Sequence, residues 1–361
     1  MKKIIIPKRF YEIIDKILIT SIEYYFDSYI VGGFIRDLII GRDTNDLDIL
    51  ICSKKRNILD AINFTNIFVK KYRIKKFVSF YNFGTSKIYI NEHEVEFIAP
   101  RKEKYNNVNS RNPIVSSASL KEDTFRRDFT INSLFLRLQD MKIFDLTRYG
   151  LKDINNKIIR LISCTNLEKK FTQDPLRILR AIRQSVQLGF YIEQRTYNAM
   201  KIAVKRIKIV PINHIRDELN KILIENTTIK AIKIMGNIKL LSQIFPEFED
   251  FDNSTKILVY RNINGSFKYL PKTKNKNINK KNIILKIAIL QYFLKKINNN
   301  YKLITVLKRF KYSRKTINKI TLVESNFNRI SSYMANIKLQ TSINKNNKFH
   351  LIVQILKKFL F

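Results

Sequence analysis

The chain has no tryptophan, two cysteines, three histidines, eight glycines and seven prolines among 361 residues. Two cysteines, Cys52 and Cys164, cannot build a disulfide framework or a cysteine-rich zinc site, and they suit a reducing compartment. His93, His214 and His350 stand apart in sequence, and no nucleophile-elbow pattern or Gly-x-x-x-x-Gly-Lys-Ser/Thr loop occurs, so these routes to hydrolysis or phosphate binding are not visible. No run of about 18 apolar residues is present, and the first apolar stretch is broken by Pro7 and Lys8, too early for a signal peptide. These features predict a soluble, cytoplasmic protein with no membrane association and no obligate protein partner. Acidic residues are also scarce: 30 Asp plus Glu face 68 Lys plus Arg, a formal net charge of +38. Such a field favours a polyanion such as nucleic acid, although the general abundance of Lys, Ile and Asn equally fits an A/T-rich coding sequence.

Because glycine is rare, the single Gly-Gly pair, Gly32-Gly33, stands out. It follows the apolar run Tyr29-Ile30-Val31 and precedes a helical turn carrying Arg36, after which Asp46 and Asp48 flank Leu47. Glycines allow backbone N–H groups to approach a phosphate closely, and residues i and i+2 of a strand share a face, so the two aspartates can converge on a cation. Hard oxygen ligands beside a phosphate cradle point to Mg²⁺ and to phosphoryl or nucleotidyl transfer. A third carboxylate would complete the cage. Glu92, Glu94 and Glu96 alternate along one apolar run, and spacing does not choose among them.

Residues 1–155 alternate β-rich runs with helical ones, with strands expected at 28–31, 47–52, 77–81, 87–90, 94–99 and 133–138 and a hairpin turn at 91–93. From about residue 165 the apolar spacing becomes helical, as in 176–188 and 215–223. Asp174-Pro175 reads as a helix start, with Asp at the N-cap and Pro at the first helical position. Periodicity is lost over 251–281, a basic, Asn-rich segment that reads as a linker or loop. The fold class is α+β: a small mixed-sheet head, residues 1–155, followed by an elongated all-α neck, 156–225, and a helical body and tail, 226–361. Asp174 and Arg177 stand about one turn apart, an acceptor beside a donor fork that can imitate the edge of a base. Arg180 and Arg183 continue at three-residue steps, and three arginines on one helix must either line a polar cleft or be solvated.

Gly32-Gly33-Phe34-Ile35-Arg36-Asp37 with Asp46-Leu47-Asp48 resembles the first motif of the class II tRNA nucleotidyltransferases and bacterial poly(A) polymerases. The resemblance continues in order through Val95-Glu96-Phe97, Arg101-Lys102-Glu103-Lys104-Tyr105, Arg126 to Asn132, Asp145 to Asp153 and Asp174 to Arg183. It implies a nucleotidyltransferase head, with Asp46, Asp48 and Glu96 as catalytic metal ligands for Mg²⁺. Gly32, Gly33, Arg36, Arg127, Asp174, Arg177, Arg180 and Arg183 would bind the nucleotide. It also implies template-independent addition of the 3′-terminal CCA to tRNA from CTP and ATP, the alternatives being poly(A) synthesis, partial CC or A addition, or an inactive RNA-binding protein. The stretch Tyr81-Asn82-Phe83-Gly84-Thr85-Ser86 lacks the Gly-Arg-Arg-Phe-like signature of the poly(A) polymerases. Many members of that family carry a phosphohydrolase domain marked by a His-Asp dipeptide; none occurs here, so any such domain is expected to have degenerated or been replaced by helices serving RNA binding, with the basic runs 272–281 and 308–315 as expected RNA contacts.

Overall fold

A computed structural model describes residues 5–90, 93–105, 113–163, 166–225, 227–246, 281–290 and 302–338, with side chains of the last helix described to residue 326. Cys164, Glu92 and most of the basic segment 251–281 lie outside the described residues, as does nearly all of the 91–93 turn. The chain divides into two units, Met1–Gln173 with Phe190–Ala199, and Asp174–Gly189 with Met200–Phe361.

The first unit is built on a seven-stranded mixed sheet. Its strands are β1 (Phe26–Val31), β2 (Leu47–Ser53), β3 (Phe77–Phe80), β4 (Thr85–Ile90), β5 (His93–Ile98), β8 (Phe135–Arg137) and β9 (Ile143–Phe144), in the order β3-β4-β5-β2-β1-β8-β9. Only the β2–β5 pair is parallel; the others are antiparallel. A separate hairpin joins β6 (Arg101–Lys104) to β7 (Ile114–Ser117). The expected strands are all present to within a few residues. The β6–β7 hairpin was not expected, because Arg-Lys-Glu-Lys carries no apolar alternation. Nor was the short parallel pair of β10 (Ile158–Ile159) with β11 (Tyr191–Ile192), which brings a strand into the region expected to be helical throughout.

Alternation gives the two faces of the sheet different roles. On one face Phe97 meets Phe64 and Phe68 at ring separations of 5.1 and 5.7 Å, both carried by helix α3 (Asp60–Lys71), the third after α1 (Tyr11–Glu23) and α2 (Gly33–Ile39). Burying such rings contributes roughly 2–3 kcal/mol apiece, so this face is a core. On the other face Tyr29, Val31, Leu50, Cys52 and Phe135 form a second buried cluster, with Leu120 of α4 (Leu120–Arg126) packed against it. Asp48 and Glu96 lie on that same face, where the covering ends.

The first unit also holds α5 (Gly150–Asn155) and α6 (Leu167–Gln173). The second unit is helical where described. It opens with α7 (Leu176–Leu188), whose apolar stripe Ile178, Leu179, Ile182 and Val186 is buried and which Gly189 ends at φ +71°. After α8 (Gln194–Ala203), divided between the units, come α9 (Ile212–Ile224), α10 (Thr228–Asn237) and α11 (Leu240–Ile244). Helical residues 281–290 and the helices Leu303–Arg309 and Arg314–Lys338 follow. No described helix is long and apolar enough to cross a membrane.

One glycine tests the packing of the head. Gly84 follows the 3₁₀ turn Tyr81–Phe83 at φ +60°, and a Cβ there would lie 2.2 Å from the Ile58 carbonyl oxygen. Gly84→Ala is expected to destabilise the fold by about 2–4 kcal/mol, measured by urea unfolding. A change under about 0.5 kcal/mol, the range of an innocuous surface substitution, would contradict this packing.

Candidate active site

The glycine pair makes the tight turn from β1 into α2. Gly32 adopts φ +75°, a conformation that glycine reaches without strain. A Cβ on Gly32 would stand 3.0 Å from Asp48 Oδ2, and one on Gly33 would stand 2.9 Å from Arg36 Nη2. The missing side chains thus allow the backbone to approach the Asp48 carboxylate on one side and a guanidinium on the other.

Register then assembles the acidic side of the site. Asp48 of β2 is the partner of Glu96 of β5, so the two carboxylates stand opposite each other on neighbouring strands. Asp46 comes just before β2 and is exposed. Burial, then the charge of Glu96, then to a lesser degree Asp46, push the Asp48 carboxyl up to about 7, against a partial pull downward from Arg127. Glu94 is exposed and accepts a 2.6 Å hydrogen bond from Lys87, whose Nζ is 3.4 Å from Glu96. Of the two described glutamates, Glu96 is therefore the one set against Asp48. Among the described residues no three His, Cys, Asp or Glu side chains form a ready metal cage. The donor chemistry nonetheless fits a divalent cation, because two carboxylates that oppose each other's ionisation gain from a shared counter-charge.

Arg36 is buried rather than on the surface. It donates to Asp37 at 2.9 Å and to Asn132 Oδ1, while Asn132 Nδ2 donates to Asp128 at 3.1 Å. Asp128 also accepts from the Phe129 amide at 2.7 Å. The chain Asp37–Arg36–Asn132–Asp128 ties the glycine turn to the Arg126–Asn132 segment, so in this structure the Arg36 guanidinium is engaged within the protein. Asp43, which follows α2 and could by its distance in sequence also reach Arg36, pairs with Arg9.

Arg127 lies over the Phe135 ring at 5.0 Å and pairs with Asp123 at 2.8 Å. Sequence reading missed Asp123, which is fully buried and also holds Arg126 at 2.7 Å. Burial alone would raise its carboxyl, but Arg127 and Arg126 outweigh that and hold it below the usual range. The i, i+3 and i, i+4 spacing to two arginines was the available signal. Lys87, between the two glutamates, was missed as well.

In the second unit Asp174 accepts a 3.3 Å hydrogen bond from the Leu176 amide and lies 3.7 Å from Arg177 Nε. The N-cap position itself falls on Pro175, one residue later than expected, although the Asp174 carboxylate still serves the first turn. Arg177 is buried. Arg183 is committed to Glu218 of α9 at 2.7 Å and to Gln187 at 2.9 Å, so it does not share a free face with Arg177. Arg180 is half-buried.

Comparison with known proteins agrees with this construction. Residues 28–160 match the family model described as the poly A polymerase head domain, and residues 189–252 match the probable RNA- and SrmB-binding site of polymerase A. The chain is 34% identical over 236 residues to an A-adding tRNA nucleotidyltransferase of Geobacter sulfurreducens, covering 64% of this chain and 25% of that protein. It is 32% identical over 229 residues to a CCA-adding enzyme of Oceanobacillus iheyensis, covering 63% and 54%. It therefore spans between a quarter and about half the length of these relatives. A solved Thermotoga maritima CCA-adding enzyme complexed with tRNA shares the fold at TM-score 0.69 and 22% identity, over 98% of this chain and 82% of that one. Head fold, glycine turn and opposed carboxylates thus lie together within the stretch that matches the poly A polymerase head domain. Over residues 28–160 the chain matches the poly A polymerase head domain, and over 189–252 the RNA-binding region described for the same polymerases.

The raised Asp48 carboxyl has a measurable consequence. Below its ordinary value near 3.8 it is neutral whether the chain is folded or not, whereas as pH rises through about 7 the folded form must ionise it against burial and Glu96. Metal-free stability from this group is thus present at low pH and lost as pH rises. Asp48→Asn, assayed by thermal melting in EDTA, should match wild type near pH 4 and melt several degrees higher at pH 8. A difference that does not change with pH would contradict the repulsion.

Proposed function

We propose that this protein is a template-independent RNA nucleotidyltransferase that builds or repairs the 3′-terminal CCA of tRNA from CTP and ATP. The observation that carries the reading is the Asp48–Glu96 pair beside the Gly32-Gly33 turn, within a head that resembles those of CCA-adding and A-adding enzymes. Asp46, Asp48 and Glu96 would hold Mg²⁺, which supplies activation of the terminal 3′-hydroxyl and charge neutralisation on the triphosphate.

The chain's own residues do the rest. Gly32 and Gly33 leave room for the triphosphate against the backbone, and Arg127 offers a cation that Asp123 holds in place. Arg36 acts by fixing the glycine turn against Asn132. Asp174 and Arg177 are assigned the reading of the base: both cytosine and adenine carry an exocyclic amino group that a carboxylate can accept from. The supporting geometry is their 3.7 Å pairing at the start of α7. Exposed Lys308, Arg309, Lys311, Arg314 and Lys315, around the turn between the last two described helices, offer phosphate contacts for the body of a tRNA.

The test is incubation of the full chain with tRNA lacking its 3′ end and with CTP, ATP or both. Addition of C, C and A in order is expected. Long A tracts with ATP alone would favour the poly(A) reading, and no incorporation under Mg²⁺ would contradict the proposal. Base choice has its own test: Asp174→Ala should lower the ratio of kcat/KM for CTP over UTP by roughly 5- to 100-fold, the worth of one good base contact. An unchanged ratio with slower turnover would mean that this residue positions the nucleotide without reading it.

A further inference from the structure

The edge strand β3 and the turn after it carry four aromatic rings in water. Phe77, Phe80, Tyr81 and Phe83 are 44, 42, 62 and 47% exposed, and Val78 between them is exposed too. Large apolar side chains clustered on an open sheet edge are a liability for self-association unless they have a partner. Along the chain the charge flanking this edge is of one sign, and the nearby Glu94 and Glu103 are paired with Lys87 and Arg101. No acidic residue occurs from Ala61 to Asn91, while Lys70, Arg73, Lys75 and Lys76 are exposed. Lys76 lies over the Tyr89 ring at 4.6 Å and Arg101 over Phe83 at 5.9 Å, so cations and rings are interleaved.

The register places this edge in line with the carboxylates. Asp48 pairs with Glu96, Glu96 with Lys87, and Lys87 with Val78, so one row of side chains crosses four strands on a single face. Phe80, two residues from Val78, shares that face. At about 4.8 Å between strands, the row runs about 14 Å from Asp48 to the sheet edge.

We infer that the Phe77–Phe83 edge is a stacking platform for single-stranded RNA, holding the few nucleotides behind the 3′-hydroxyl that meets Asp48 and Glu96. Every base offers a π-face, so exposed rings bind a strand without demanding a sequence, and the flanking lysines meet its phosphates. A protein strand could also add to the open edge of β3, but the absence of any acidic residue over thirty positions and the interleaved cations match a polyanion. The inference names a partner contact for the proposed function and rests on that reading.

The test uses the full chain in EDTA without nucleotides, and a short single-stranded RNA with 4-thiouridine a few positions from its 3′ end. Ultraviolet crosslinks mapped by mass spectrometry should fall within residues 77–83, and Phe80→Ala with Tyr81→Ala should weaken binding about tenfold or more. Phe80→Tyr should restore it, and Lys75→Gln with Lys76→Gln should flatten its salt dependence. In nucleotide addition the double alanine variant should raise KM for RNA with little change in kcat.

Unchanged RNA affinity in the alanine variant, or crosslinks elsewhere, would overturn the inference. So would loss of self-association or of peptide binding in its place, which would assign the edge to a protein strand. If addition is normal and the edge inert, this inference alone fails. If the edge binds RNA and no nucleotide is ever added, the proposed function fails instead.

Discussion

The opposition of Asp48 and Glu96 across the only parallel pair of strands in the main sheet is the constraint around which the head is organised. Two carboxylates set face to face and partly removed from water resist joint ionisation, and the strain falls on Asp48, pushed up to about 7. A sheet optimised for stability alone would place an apolar residue or a cation there. Lys87 supplies some counter-charge to Glu96, yet it is also held by Glu94. What remains is a site whose stability rises when positive charge arrives, which suits the proposed gathering of a cation and a nucleoside triphosphate.

The surroundings make that strained pair tolerable. The Asp37–Arg36–Asn132–Asp128 chain connects positions 96 residues apart and holds the glycine turn against the sheet. Asp123 gathers Arg126 and Arg127 into one buried cluster, and Asp153 ties Thr130 and Arg160 together at 2.6 and 2.9 Å. Buried ion pairs of this kind contribute little net stability, since desolvation offsets attraction, but removing one partner is costly. Their effect here is geometric: they position the segment 126–132 beside the carboxylates.

Strands β1 and β2 were legible as short apolar runs rich in β-branched and aromatic residues, β5 because its apolar residues alternate with glutamates, and α7 because its apolar residues recur with helical period. The β6–β7 hairpin was not, since its charged residues pair along β6, Arg101 with Glu103, and with Arg126 of α4, a contact that no local pattern reveals. Asp46, Asp48 and Glu96 could be singled out by type and spacing. That Glu96 opposes Asp48 depends on register between strands more than forty residues apart. Likewise Arg36 and Arg183 were recognisable as cations of interest, while their engagement with Asn132 and Glu218 is decided by packing alone.

The most direct test of the strained carboxylate pair is proton release on metal binding. A raised Asp48 carboxyl is largely protonated at pH 6.5, so a divalent cation that takes it as a ligand must expel the proton. Calorimetric titration of Mg²⁺ or Mn²⁺ into the full chain, in two buffers of different ionisation enthalpy, reads that proton directly. Release of well over half a proton per site at pH 6.5, falling toward zero by pH 8.5 and absent in Asp48→Asn, is the expected result. Cation binding with no proton release at pH 6.5, or equal release in the variant, would contradict a carboxylate pair strained in readiness for metal.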